Sequence, residues 1–130
     1  MNPRFLTIDE VLQIHELQIK LFGGDPAILN RGLLESAIAQ PQFAFGGQFV
    51  HEDLAAMAAA YLFHIAKNHP FADGNKRTST HAAFTFLRLN GVKLSAPVDE
   101  AEQVVLAVAE GRMQKQELAT YFRKWAVSQP

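Results

Sequence analysis

The chain has 130 residues, which suits one domain, and 48% of them are apolar, enough for a real core. Its 12 basic and 13 acidic residues leave a net charge of −1, which argues against a nucleic-acid-binding surface as the main design. The lack of cysteine excludes disulfides and thiolate metal sites, and no apolar segment approaches the ~20 residues that span a bilayer. The opening segment MNPRFLTIDE has no apolar signal core, so we expect a single cytoplasmic domain over residues 1–130.

The first predicted helix begins at a capping box. Thr7 precedes Glu10 by three residues, a spacing at which each side chain can bond the other's backbone. We predict a helix over residues 8–22, ended by two glycines. Its apolar face consists of Ile8, Val11, Leu12, Ile14, Leu17 and Leu21. His15 lies on this helix without a partner in the sequence, and we interpret it as structural or exposed.

A second, shorter helix is predicted over residues 31–39, because Asn30 is a good N-cap and Pro41 stops the helix. Its predicted core residues are Leu33, Leu34, Ala37 and Ile38. Residues 41–51 then form a loop that is unusually aromatic, with three phenylalanines around a glycine pair. This loop could fold over the core or form a flap beside a functional site, and the sequence leaves both open.

Two central helices are predicted over residues 52–68 and 76–90, the second ended by Gly91. The first of them contains six alanines, which would allow neighbouring helices to approach closely. His64 on its apolar side is interpreted as a core histidine. These two helices should pack together and hold the loop between them rigidly.

Two further helices complete the prediction, over residues 100–110 with Asp99 as the cap, and over residues 115–127. The last has a core stripe at helical spacing, formed by Leu118, Tyr121, Phe122 and Trp125. The fold class is therefore all-α, a compact bundle of about six helices in which no strand is longer than a flap or turn.

The segment HPFADGNKR, residues 69–77, separates the two central helices and reads as a tight loop followed by a helix N-terminus. Its proline ends the preceding helix, Gly74 permits unusual backbone angles, and Asn75 is a suitable N-cap. Lys76 and Arg77 would lie in the first helical turn, where the helix macrodipole disfavours cations. An anion between them removes this conflict, and a phosphate is the natural candidate.

Other side chains in this segment and beside it suit phosphate transfer. His69 could act as a general base, because histidine changes charge near neutral pH. Asp73 could hold Mg²⁺, a hard cation that prefers carboxylate and phosphate oxygens. Lys67 could reach a phosphate, although an exposed lysine is the default, and His81, one turn past Arg77, could point toward the same phosphate-binding pocket. Taken singly, each residue also fits an ordinary turn, cap or packed histidine, and the cation pair favours an anion site.

The segment HPFADGNKR resembles the signature of the Fic/Doc family, most closely its Doc branch, the death-on-curing toxins. The segments GLLESA and QPQ within residues 32–42, and FLRLNG at residues 86–91, are also similar to that branch. In Fic-like proteins a flap between the second and third helices holds the target segment, and residues 41–51 match its position. Phe71 is expected to point inward and anchor the loop.

The resemblance implies a role for each residue of the motif. His69 would take the proton from a target hydroxyl, and Asp73 would place Mg²⁺ across the phosphate oxygens. The backbone N–H groups from Gly74 to Arg77 would form an anion nest, with Lys76 and Arg77 offsetting the negative charge. Asn75 would hold a phosphate oxygen or a loop carbonyl.

Two departures from the general Fic pattern concern the kind of transfer. That pattern has Gly where this chain has Lys76, and a second Arg where it has Thr80. Fic enzymes with the full pattern move AMP from ATP to a hydroxyl, whereas the departures resemble Doc. For Doc the resemblance implies transfer of the terminal phosphate of ATP, or of another nucleoside triphosphate, to a Thr of elongation factor Tu, which arrests protein synthesis.

Regulation is also implied by the resemblance. Self-inhibited Fic proteins carry a Ser/Thr-x-x-x-Glu-Gly/Asn helix, but here Glu110, the one Glu before Gly or Asn, has Leu106 four residues earlier. Restraint would then come from a Phd-like antitoxin whose disordered tail folds on binding. Neither a membrane nor a nucleic acid is expected as a direct partner.

Three alternatives remain. The chain could be an AMP-transferring Fic enzyme with a reduced motif, or a binding module without catalysis. It could also be a small all-α ribonuclease resembling the higher-eukaryote-and-prokaryote nucleotide-binding domains, which place Arg and His four to six residues apart. Arg77 and His81 have only three residues between them, and the near-neutral charge also weighs against RNA.

Overall fold

The computed structural model describes residues 2–128, which fold into six α-helices and two small antiparallel sheets. The helices are α1 (Ile8–Phe22), α2 (Arg31–Ala39), α3 (Leu54–Asn68), α4 (Asn75–Leu89), α5 (Val98–Ala109) and α6 (Lys115–Trp125). A 3₁₀ turn, Gln40–Gln42, leads to a hairpin of β1 (Ala44–Phe45) and β2 (Gln48–Phe49), and a second sheet pairs β3 (Val92–Leu94) with β4 (Ala126–Ser128). The prediction of an all-α bundle of about six helices is confirmed.

Side-chain caps explain why α1 and α2 have the predicted bounds. Thr7 Oγ1 accepts a hydrogen bond from the Glu10 N–H at 3.2 Å, and Glu10 Oε1 accepts one from the Thr7 N–H at 2.9 Å. At the start of α2, Asn30 Oδ1 accepts from the Leu33 N–H at 2.9 Å. Three of the four predicted core residues of α2 are buried, but Leu33 is 41% exposed.

The buried face of α1 matches the prediction only in part, since Ile8, Val11, Leu12 and Ile14 pack in or against the core as predicted. Val11, His15 and Gln18 are buried, whereas Leu17 and Leu21 are 50% and 64% exposed. The prediction followed apolar periodicity, which gives no weight to polar side chains that find partners inside the protein. The face of α1 that packs inward therefore carries a histidine, and Leu17 and Leu21 face outward.

Two other helix starts are corrected. The helix α3 begins two residues later than predicted, because Asp53 is its N-cap and accepts from the Ala56 N–H at 2.8 Å. The helix α5 begins two residues earlier than predicted, directly after Pro97. Asp99 therefore lies in the first turn, where its charge suits the helix macrodipole, and is not the cap.

The end of the chain forms a strand pair that the sequence did not predict. The helix α6 ends at Trp125 and not at residue 127, because Val127 pairs with Lys93 in the short sheet of β3 and β4. Strands of three residues are too short to give a period-2 signal. Three of the four residues of the predicted stripe on α6 belong to the core: Leu118 and Phe122 are almost fully buried and Tyr121 packs against them, whereas Trp125 is only half-buried and lies outside the core cluster.

The alanine-rich helix α3 is the central element, packed against α2, α4 and α6. Small side chains allow this close packing, as the sequence predicted. Buried residues occur on all sides of it: Ala55, Ala56, Met57, Ala58, Ala59, Ala60, Tyr61, Leu62 and Ile65. None of the helices in residues 2–128 is both long and apolar enough to cross a membrane. Because α3 and α4 pack together, the short loop between them is supported on both sides.

His51, His64 and Lys115 form a polar cluster near the start of α6. Lys115 Nζ lies 3.1 Å from His64 Nε2, and since the ammonium can only donate, the ring nitrogen accepts. His51 is buried, and neither of its ring nitrogens has a hydrogen-bond partner in the described part of the chain. Burial and the charge of Lys115 lower the pKa of His51, and burial, Lys115 and His51 lower the pKa of His64 to about 4.

We expect this cluster to make the fold acid-sensitive. Both histidines are held neutral in the fold but titrate at their ordinary value of 6.5 when unfolded. Their contribution to the free energy of unfolding is therefore present above pH 6.5 and lost as the pH falls toward about 4. After allowance for solvent screening we expect a loss of roughly 1–2 kcal/mol, measured by chemical denaturation across this range.

The control for this experiment is the double variant His51→Phe/His64→Gln. It removes both imidazoles, and the glutamine amide keeps an acceptor for Lys115. Its free energy of unfolding should fall less steeply between pH 6.5 and 4 than that of the wild type. Equal slopes would show that the histidine cluster is not the cause.

Candidate active site

The loop between α3 and α4 begins at a strained residue. His69 has φ 47° and ψ 55°, the left-handed region, and is the one non-glycine residue with positive φ in residues 2–128. This conformation costs about 1–3 kcal/mol outside glycine and is found most often at functional sites. Its N–H bonds to the Ile65 carbonyl at 3.1 Å, so α3 ends at the predicted residue and His69 turns away from the helix.

Asn75 has a different structural role from the predicted one. Gly74, with φ 83°, is the N-cap of α4, and Asn75 is the first helical residue. The buried Asn75 amide accepts from the Phe71 N–H at 3.1 Å and donates to the Phe71 carbonyl at 2.8 Å. Of the two predicted partners for this side chain, a phosphate oxygen or a loop carbonyl, the structure shows the carbonyl. The amide therefore closes the loop onto the helix.

The segment after α1 supports the other side of the loop. Pro70 O accepts from the Leu29 and Asn30 N–H groups at 2.8 and 3.2 Å, and the Ala72 N–H donates to Ala27 O at 3.0 Å. The Phe71 side chain is fully buried in the core, as expected for an anchor. The loop is thus fixed by backbone hydrogen bonds as well as by packing.

Asp73 is exposed, and contacts from α1 and the residues after it hold it in place. Its Oδ2 accepts from the Asp25 N–H at 2.7 Å, and its carbonyl oxygen lies 2.9 Å from His15 Nε2. Gly24 is required for this approach, because a Cβ there would be 2.9 Å from Asp73 Cβ. The carboxylate is therefore oriented before any ligand binds.

The carboxylate of Asp73 fits a magnesium site of one particular kind. No group of three or more histidine and acidic side chains in the described residues could hold a metal by itself. Mg²⁺ commonly binds one or two carboxylates and takes its other ligands from phosphates and water. A single exposed carboxylate beside two exposed cations in the first turn of a helix suits that arrangement.

Lys76 and Arg77 are exposed in the first turn of α4, as predicted. Neither forms an ion pair with another of the residues 2–128. The Arg77 guanidinium lies over the ring of Phe22, 4.3 Å from its centroid, which restricts its movement. Two cations therefore remain without a counterion at the positive end of a helix.

A cavity of about 1130 Å³ brings most of the predicted site residues together. The motif side of it is lined by His69, Asp73, Gly74, Asn75, Lys76, Arg77 and His81. Burial lowers the pKa of His81, and the nearby Arg88 lowers it further. Lys67 is not among the lining residues, and its Nζ lies 5.7 Å from the centroid of the Phe63 ring.

Sequence reasoning missed the opposite wall of the cavity, which α5 provides. Ala101, Val105 and Leu106 give it an apolar surface, and Glu102 and Glu110 are acidic residues on it. The sequence analysis assigned no site role to this helix, because periodicity cannot distinguish a face that packs from one that lines a cavity. The supports of Asp73 were missed too, since no local signal links α1 to the motif.

Comparison with known proteins agrees with this geometry. The Fic/DOC family model matches residues 5–87. The chain belongs to the Fic/Doc family. It is 46% identical to "Toxin Doc" of Mycolicibacterium smegmatis over 90 residues, and this alignment covers 68% of this chain and 69% of that protein. It is 31% identical to "Protein kinase doc" of Escherichia phage P1 over 121 residues, and this alignment covers 93% of this chain and 94% of that protein.

The extent of the family match divides the cavity in two. Residues 5–87 contain the Fic/Doc motif and the supports that α1 and the following segment give to it. They do not contain α5, so the apolar wall lies outside the matched segment. The family model therefore matches the motif side of the cavity and not the α5 wall.

We expect Asn75→Ala to destabilise the fold by about 2–3 kcal/mol, because it leaves the buried N–H and carbonyl of Phe71 without their partner. The matched control is Asn90→Ala at the other end of α4, where the amide also donates to backbone carbonyls but is less buried. Chemical denaturation should show the smaller loss for Asn90→Ala. An equal or larger loss there would contradict a special role for Asn75.

Proposed function

We propose that the cavity binds ATP or another nucleoside triphosphate and that the chain transfers its terminal phosphate to a hydroxyl of a protein. In this proposal residues 1–130 act as one domain, the toxin of a toxin–antitoxin pair that arrests translation in the cytoplasm. The observation that carries it is a pair of cations at the start of α4 that have no ion-pair partner in the described part of the chain and lie beside His69 and Asp73 in one cavity. The names of two relatives, a Doc toxin and a Doc protein kinase, support it.

The transfer step assigns a task to each of these side chains. His69 would take the proton from the target hydroxyl as its oxygen attacks the terminal phosphorus. The bond from that phosphorus to the bridging oxygen would break, and the nucleoside diphosphate would leave with the electron pair. Lys76, Arg77 and the free N–H groups at the start of α4 would offset the negative charge on the phosphates. The rigid loop would contribute by holding these groups in position beforehand.

Asp73 would hold the metal ion in this scheme. A bound Mg²⁺ would neutralise part of the phosphate charge and orient the phosphate oxygens. The protein's contribution is the orientation of the carboxylate by Asp25 and Gly24.

AMP transfer is the second candidate function, and two residues favour transfer of the terminal phosphate over it. Lys76 adds a charge where the general Fic pattern has glycine, and Thr80 replaces the second arginine. Thr80 Oγ1 donates to the Lys76 carbonyl at 2.8 Å, so this side chain bonds its own helix. One cation is therefore gained and another lost near the phosphates, which is the pattern that resembles Doc.

The hairpin of β1 and β2 is our proposed docking flap for a translation factor similar to elongation factor Tu. Phe43 and Phe45 are 57% and 80% exposed, whereas Phe49 packs edge-on against Phe5 with centroids 5.6 Å apart. One aromatic side chain thus anchors the hairpin and two remain available to a partner. This arrangement supports the flap interpretation over a loop folded onto the core.

The proposed restraint is a Phd-like antitoxin tail that folds as a helix on binding. The helix α1 offers an exposed apolar strip of Leu17, Leu21 and Phe22. Because Phe22 contacts Arg77, a partner helix on this strip would lie next to the phosphate-binding end of the cavity.

The toxin proposal predicts that expression of the wild-type chain without an antitoxin stops growth and that His69→Ala does not. His69 is exposed, so its replacement should leave the fold intact while removing the base. Growth and incorporation of a labelled amino acid are the measurements, and Lys124→Ala, an exposed change on α6, is the control. Arrest by both wild type and His69→Ala would contradict His69 chemistry.

The two lysines beside the loop give a matched pair for nucleotide binding. Lys76→Ala should weaken MgATP binding about 10- to 100-fold, because a charge-assisted hydrogen bond to phosphate is worth about 1.5–3 kcal/mol. Lys67→Ala should change it less than about threefold, since Lys67 does not line the cavity. Titration calorimetry measures both. Equal effects would contradict the phosphate position at the start of α4.

A further inference from the structure

One buried side chain of α1 contacts the motif loop at three residues. His15 is 3% exposed, and its ring stacks on the Phe71 ring with centroids 3.7 Å apart and planes 8° apart. Its Nε2 lies 2.9 Å from the Asp73 carbonyl oxygen. A Cβ placed on Gly74 would be 3.5 Å from His15 Cδ2, so the backbone there packs against the same ring.

The hydrogen bond from His15 fixes a peptide group that borders the cavity. A carbonyl oxygen only accepts, so Nε2 carries the hydrogen and donates it to Asp73 O. The peptide between Asp73 and Gly74 is planar, and in a trans peptide the carbonyl and the N–H point in opposite directions. Because the carbonyl points at His15, the Gly74 N–H points away from it, and Gly74 lines the cavity.

The same peptide determines where the Asp73 carboxylate lies. The side chain leaves the backbone one bond before the fixed carbonyl, and Asp25 holds its Oδ2 at 2.7 Å. A metal-binding or phosphate-binding group is effective only when residues behind it hold its orientation. His15 and Asp25 are such residues on one side of the loop.

We propose that His15 is a positioning residue for the phosphate-transfer site, acting through the Asp73–Gly74 peptide. Its donated hydrogen bond orients the Asp73 carboxylate toward a divalent cation and the Gly74 N–H toward a phosphate. This inference rests on the proposed function for its ligands, but the arrangement of the loop can be tested without the reaction.

Two variants separate this role from packing alone. His15→Phe keeps a flat ring that can stack on Phe71 and removes the donor. His15→Gln places an amide N–H near the position of Nε2 and removes the ring. If His15 acts by positioning, His15→Phe should disturb the loop more than His15→Gln. If His15 acts only by packing, His15→Gln should disturb it more. His15→Leu is a further variant without a donor, for use if the phenylalanine ring prevents folding.

The first measurement is amide hydrogen exchange of residues 70–76 in each variant without ligand. We expect exchange about tenfold faster in His15→Phe than in wild type, because losing one buried hydrogen bond changes a local equilibrium by about that factor. His15→Gln should remain within about threefold of wild type. Wild-type exchange in His15→Phe, together with faster exchange in His15→Gln, would overturn the proposal.

The second measurement is the Mg²⁺ concentration that half-saturates ATP binding in calorimetry. Loss of a residue that orients a metal ligand typically weakens metal affinity 10- to 100-fold, and we expect an increase of that size in His15→Phe. An unchanged value would overturn the positioning role even if transfer is slow. Phosphate transfer is measured separately. A wild type that binds MgATP but transfers no phosphate would contradict the proposed function, and the result for His15 would not depend on that outcome.

Discussion

The two hydrogen bonds between the Asn75 amide and the Phe71 backbone are the constraint on which the site depends. They join the first residue of α4 to the middle of the loop, so the chain between them has little freedom. Phe71 is at the same time buried in the core, which ties this short loop to the packing of α3 and α4. The backbone on the motif side of the cavity is therefore tied to the packing of the core.

That rigidity allows the fold to hold two unfavourable features. His69 adopts a left-handed conformation that costs about 1–3 kcal/mol, and two cations at the positive end of α4 have no ion-pair partner among residues 2–128. Both features are local conflicts that an ordinary helix connection would avoid. A phosphate ligand would relieve the second conflict, and the turn at His69 directs that residue out of the helix. Conflicts of this kind are found most often at functional sites.

Much of the fold could be predicted because local chemistry determined it. The capping box at Thr7 and the cap at Asn30 gave α1 and α2 their correct bounds, and the alanine-rich α3 proved central. The burial of His15 on α1 could not be predicted, because its contacts are with partners more than 50 residues away in the sequence. For the same reason the sequence did not show that β3 pairs with β4 or that α5 lines the cavity. The motif residues were found together because they are adjacent in the chain, whereas their supports are distant in sequence.

The most direct test of the phosphate-transfer account uses ATP labelled at either the γ- or the α-phosphate. The purified chain and its His69→Ala variant are each incubated with Mg²⁺ and a bacterial translation extract, and protein-bound label is measured. The account predicts that only the γ-label becomes attached to a protein and only with the wild type. Attachment of the α-label would show AMP transfer, and attachment of neither would contradict group transfer by this site.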